Sequence, residues 1–142
     1  MKAFLDTSVL VAVFYGDHPH HAASLEVFTR FSKKEISCAA HSLFEVYSVL
    51  TRMTGKHRMG GEQAMLFIGN IRERLTIVGL TAEEYAKALQ TFAELGVTGG
   101  AIYDALLAAC AMKAKAETLF TWNIRHFAQL GPNVARLLQT PG

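Results

Sequence analysis

The sequence predicts an α/β fold with a mainly parallel sheet, and three observations carry that prediction. Short apolar runs alternate with amphipathic stretches of helical period along the whole chain. No repeat, low-complexity tract or linker interrupts the alternation, so residues 1–142 read as one domain. The composition is 51% apolar over 142 residues. A domain of this size hides about 68–70% of its unfolded surface, so it folds on its core without a disulfide or metal staple.

Ala3-Phe4-Leu5 is a short buried strand, followed by a helix over Val9 to Tyr15 with Asp6, Thr7 or Ser8 at its cap. Asp17 is expected to cap a second helix, with Pro19 in its first turn and Phe28 and Phe31 facing inward. Glu35 to Ala39 is a second strand. Ser42 to Met53 is a helix with Leu43, Val46, Tyr47, Leu50 and Met53 on one stripe. The Gly-rich segment 54–61 breaks it before a helix over Glu62 to Arg74 and a strand over Leu75 to Val78. Thr81-x-x-Glu84 is a capping box opening a helix to Leu95, with Gly96 as its stop. Gly99-Gly100 precedes a helix from Ala101 to about Lys115. Thr118 to Phe120 is a fourth strand, Ile124 to Leu130 a short helix, and Val134 to Leu138 a last strand.

The apolar stretch from Val9 to Tyr15 falls far short of the roughly 20 residues needed to span a membrane. It also lacks the basic flank and cleavage site of a signal peptide, so a cytoplasmic protein without membrane contact is expected. Cys38 and Cys110 lie among apolar residues and read as buried reduced thiols.

Ligands of parallel sheets bind beyond the carboxyl ends of the strands, and four residues stand there. Asp6 ends the first strand, Glu45 lies in the first turn of the helix after the second, Asp104 lies in the helix after Gly99-Gly100, and Asn123 follows the fourth strand. Each has a simpler reading. Asp6 could cap a helix, Ser42-x-x-Glu45 could be a capping box, and Asn123 could form an Asx-turn. Asp104 is harder to explain locally: no other charge occurs between Glu94 and Lys113, and an unpaired carboxylate on such an apolar helix is costly. Together, three carboxylates and an amide offer hard oxygen donors suited to Mg²⁺ or Mn²⁺. A site of this kind activates water and stabilises in-line phosphoryl displacement.

Phe4-Leu5-Asp6-Thr7-Ser8, Glu45 within Ser42 to Leu50, Tyr103-Asp104-Ala105-Leu106 and Thr121-Trp122-Asn123-x-x-His126-Phe127 together resemble the PIN domain, and more narrowly the VapC-type toxins of toxin–antitoxin pairs. The resemblance runs over essentially the whole chain. It implies a three-layer α/β/α sandwich with about five parallel strands. It also implies a metal-dependent endoribonuclease leaving 5′-phosphate ends, a cognate VapB-like antitoxin, and a homodimer. Asp6, Glu45 and Asp104 match the family's acidic positions and would hold Mg²⁺ or Mn²⁺. Asn123 stands where an Asp is often found, and would bond a water or the substrate.

Thr7 and Ser8 flank Asp6, where a hydroxyl could orient it or meet substrate. Arg52, Lys56, His57 and Arg58 form the densest basic stretch, and Arg52 shares a helix face with Glu45. There are 14 basic residues against 12 acidic ones. With three acids assigned to the site, the rest of the surface is distinctly basic, which suits an RNA substrate. Asp17-His18-Pro19-His20-His21 lacks a partner cluster for zinc and reads as a surface helix entry. Trp122 is expected to pack beside the fourth strand. The alternative to an enzyme is a PIN-fold module, catalytically weak or inactive, that binds RNA or protein.

Overall fold

The computed structural model describes residues 1–142, with His57 described by its backbone alone, so its side chain lies outside the described residues. The strands are β1 (Ala3–Leu5), β2 (Ile36–Ala39), β3 (Thr76–Val78), β4 (Thr118–Phe120) and β5 (Leu138–Gln139), in the order β3-β2-β1-β4-β5. Every pairing is parallel. Strands this short and apolar sit in a parallel sheet because both faces are covered, as β1 and β2 show by complete burial.

Side-chain alternation along β1 divides the core. Ala3 and Leu5 pack with Val9, Phe28, Val46 and Ile71 under α1 (Thr7–Phe14), α2 (His21–Arg30), α3 (Ala40–Arg52) and α4 (Gly61–Arg74). Phe4 packs on the other side with Phe92, Leu107, Leu119 and Phe127 under α5 (Ala82–Glu94), α6 (Ala101–Lys113), α7 (Ile124–Ala128) and α8 (Pro132–Ala135). The result is a three-layer α/β/α sandwich. Cys38 belongs to the first layer and Cys110 to the second. Burial pushes the Cys38 thiol up to about 12 and the Cys110 thiol up to about 11, so both are inert free cysteines. Among the described residues no helix is long and apolar enough to cross a membrane.

The Thr81–Glu84 capping box forms as expected, and Gly96 ends that segment at φ +81°, in the left-handed region open to glycine. Elsewhere the local signals mislead. The second helix starts at His21 rather than at Asp17, because Tyr15 to His21 forms successive turns and the Ser24 N–H bonds the His20 carbonyl. Pro19 therefore precedes the helix, and Phe31 follows it while still packing on the core. Glu35 lies before β2, bonding Lys2 and the Ser32 N–H. The expected strand at Val134 is instead α8, with Gly131 at φ 106° and Pro132 in the first turn starting a helix, and β5 comes later.

Candidate active site

The parallel register brings the strand ends level: Leu5 pairs with both Cys38 and Phe120. The next residues, Asp6 and Thr121, therefore stand side by side. Asp6 is only 3% exposed. It occupies the N-cap position of α1 but makes no side-chain capping bond. Its Oδ2 instead accepts the hydroxyls of Ser8 at 2.7 Å and Thr121 at 2.8 Å. Each hydroxyl accepts a backbone N–H in turn: Trp122 donates to Ser8 Oγ at 3.1 Å, and Asn123 donates to Thr121 Oγ1 at 2.9 Å. Asp6 thus anchors the loop that presents Asn123. Burial raises the Asp6 pKa above the usual carboxylate value, against the pull of the Ser8 and Thr121 hydroxyls.

Glu45 lies in the second turn of α3, because the helix begins at Ala40 rather than Ser42. The expected Ser42–Glu45 capping box does not form. Thr7 Oγ1 donates to Glu45 Oε1 at 2.8 Å and lies 2.8 Å from Ser42 Oγ, so both residues serve a contact between α1 and α3. His41, one turn earlier, holds its Nε2 4.0 Å from Glu45 Oε2. Asp104 is half-buried in the first turn of α6, whose Ala108 and Ala111 pack with no exposure. Burial raises its pKa first, and the charges of Asp6 and Glu45 raise it further, while His126 opposes them. The three predicted carboxylates therefore share one electrostatic neighbourhood. Asn123 is exposed and its amide makes no capping bond on α7.

The donors are hard oxygens, the kind a divalent cation of the Mg²⁺ class takes. Among the described residues no three His, Cys, Asp or Glu side chains lie close enough together to hold a metal ion. An open set of this kind matches Mg²⁺, which keeps several waters and binds through one or two carboxylates together with substrate phosphates.

Arg52 lines a groove with Phe44, Glu45, Ser48 and Val49, as its spacing from Glu45 predicts. It also lines the adjoining hollow with Tyr15 and Thr54. Lys56 and Arg58 line the hollow beyond, against Tyr15 and Asp17. The basic residues thus follow connected grooves leading away from Glu45.

The histidine run has fold-internal partners. His18 Nδ1 accepts the His20 N–H, His20 stacks on Trp122, and His21 Nδ1 lies 2.8 Å from the Ala12 carbonyl. Trp122 packs on the core as expected. The sequence motifs include Thr121 and Tyr103 without assigning them a role, and His41 stands outside them. Thr121 follows β4 as Asp6 follows β1, and that equivalence is the signal that could have found it.

Residues 3–131 match the PIN domain family. Over 114 residues the chain is 37% identical to ribonuclease VapC40 of Mycobacterium tuberculosis, covering 80% of this chain and 81% of that protein. It is 34% identical over 114 residues to ribonuclease VapC27 of the same organism, covering 80% and 79%. Its fold is similar to that of VapBC2 from Rickettsia felis bound to a promoter DNA fragment, with TM-score 0.70, 22% identity and full coverage of both chains (100%). It is also similar to the M. tuberculosis toxin VapC20, described as cleaving the sarcin–ricin loop, with TM-score 0.66, 18% identity and coverage of 83% and 87%. With this match over nearly the whole sequence, the chain belongs to the PIN-domain family.

Proposed function

We propose that this chain is a metal-dependent endoribonuclease, the toxin of a toxin–antitoxin pair, held in check by a cognate VapB-like antitoxin. The observation that carries the reading is the buried Asp6 after β1, held by Ser8 and Thr121, with Glu45 beside it bonded by Thr7. The similarity to two VapC ribonucleases supports the substrate class. The fold shared with VapBC2 from Rickettsia felis supports the antitoxin. A homodimer and a cytoplasmic location belong to the same reading.

Asp6, Glu45 and Asp104 would hold Mg²⁺ or Mn²⁺, which when bound supplies neutralising charge at the phosphate and acidifies water. Thr7, Ser8 and Thr121 fix the carboxylates through hydroxyl bonds. The Asn123 amide offers an N–H to a phosphate oxygen or to the attacking water. Arg52, Lys56 and Arg58 neutralise flanking phosphates. Water attacks phosphorus, the bond to the 3′-oxygen breaks, and the departing oxygen takes a proton, leaving 5′-phosphate and 3′-hydroxyl ends.

Expression of the chain alone in bacteria tests the toxin reading. Growth should stop, and Asp6→Ala should restore it. Unhindered growth with soluble, RNA-cleaving wild-type protein would contradict the toxin role while leaving the nuclease standing.

A further inference from the structure

Two stacked aromatic pairs adjoin the carboxylates, and they differ in what covers them. In the first, His20 lies 3.7 Å from Trp122 at an interplanar angle of 10°, and Trp122 Nε1 donates to Ser24 Oγ at 2.9 Å. Trp122 also packs on the core beneath α1 and α2. This pair fastens the start of α2 to the loop after β4.

The second pair is His41 and Tyr103. Their rings are parallel within 5°, with centroids 5.6 Å apart. Face-on rings would sit closer, so these rings are slid sideways and each leaves part of its face uncovered. Tyr103 is 55% exposed, although its helix neighbours Ala105 and Leu107 are buried. Tyr103 directly precedes Asp104, and His41 stands one turn before Glu45. The pair therefore bridges the two helices that carry two of the three candidate carboxylates.

We infer that the His41–Tyr103 pair is a stacking platform for a nucleobase of the RNA, next to the phosphate at the carboxylates. The inference rests on the ribonuclease reading above and adds a site to it. A half-exposed tyrosine braced by a parallel imidazole presents a rigid π-face at little entropic cost. Such faces take any base and favour those that stack most strongly. A purine is thus the preferred occupant. The carboxylates beside the platform repel bare phosphate, so the base contact and the basic groove together set where the strand can lie.

The test is fluorescence anisotropy with the full chain carrying Asp104→Asn, which prevents cleavage. The probes are labelled oligoadenylate and an abasic ribose-phosphate oligomer of the same length and charge. Adding Tyr103→Leu should weaken oligoadenylate binding by about 5- to 100-fold. It should leave abasic binding and the salt dependence unchanged, because no phosphate contact is lost. Tyr103→Trp should restore oligoadenylate binding, and thermal melting checks that each variant folds. Equal loss on both probes, or no loss on either, would overturn the platform. The second result, joined to weaker binding of the antitoxin by Tyr103→Leu, would assign the surface to a protein partner. Failure of the parent to bind either probe would overturn the RNA reading itself, and the platform with it.

Discussion

Asp6 and Asp104 are both disfavoured by burial but differ in what surrounds them. Asp6 is buried on the strand side, where Ser8 and Thr121 direct two hydroxyls at one oxygen and pass their bonds on to the loop at Trp122 and Asn123. Asp104 sits half-buried on the helical side among small residues, and the charges of Asp6 and Glu45 bear on it. The strand side is a fixed scaffold that tolerates a charge by bonding it. On the helical side burial, and then the charges of Asp6 and Glu45, disfavour the Asp104 carboxylate, which is partly open to solvent with Tyr103 beside it. A fold that binds a cation and a polyanion needs both: one wall to set geometry, and another whose unfavourable charge the ligand relieves.

The largest expected effect comes from breaking the open wall. Asp104→Asn should lower RNA cleavage by at least about 100-fold, the scale of losing a principal electrostatic group. It should also raise the melting temperature of the metal-free protein, because a repelled carboxylate is removed. Asp6→Asn should lower cleavage as far with a smaller gain, since its amide oxygen accepts the Ser8 and Thr121 hydroxyls more weakly than a carboxylate does. Equal thermal shifts from the two changes, measured by calorimetry in chelator, would erase the contrast between the walls.

Breaking the scaffold comes next. Thr121→Val keeps the shape but removes the hydroxyl between Asp6 and the Asn123 N–H. A hydrogen bond to a charged group contributes about 1.5–3 kcal/mol. At roughly 2–4 °C per kcal/mol, melting should fall by about 3–12 °C. Asn123→Ala should lower kcat by about 10- to 100-fold with melting nearly unchanged, because its amide makes no capping bond.

The four candidate positions stand out in the sequence by local signals: Asp6 and Asn123 come after strands, Asp104 opens a helix, and Glu45 lies in the helix after β2. Thr121 was not visible as a partner of Asp6, since the bond joins residues 115 positions apart and depends on the register of β1 with β4. Ser42 and Glu45 misled for a related reason. Their spacing matches a capping box, but Thr7 on another helix takes up both side chains. The four strands from Ala3 to Phe120 could be read from apolar runs bounded by turn residues. The fifth could not: its two residues carry almost no pattern, and Gly131-Pro132 starts a helix where a strand was expected.

A pH series sharpens the same comparison. Asp6 and Asp104 both titrate above their ordinary value of 3.8 in the folded state. The native protein therefore keeps protons that the unfolded chain has already lost, and stability falls as pH rises through that window. The metal-free protein should gain stability as pH drops from 7 toward the raised values. It should lose stability at lower pH, where Glu35, held down to about 2 by Lys2 and Ser32, begins to protonate. Asp104→Asn should flatten the gain. A wild-type melting curve that only declines below pH 7 would contradict the raised pair.

The smallest effect concerns the basic grooves. Arg52, Lys56 and Arg58 changed together to Ala should flatten the slope of log K against log salt by about 1–2 units for single-stranded RNA. Binding by the Asp104→Asn form over a salt series measures it. An unchanged slope would move the RNA path toward Arg125 and His126.

The most direct measurement is cleavage of end-labelled RNA by the purified chain, with Mg²⁺ or Mn²⁺ and with excess chelator, beside Asp104→Asn prepared in parallel. Discrete fragments bearing 5′-phosphates are expected from the wild type with metal, and intact RNA from both controls. Fragments that persist in chelator, or that Asp104→Asn produces equally, would contradict that expectation.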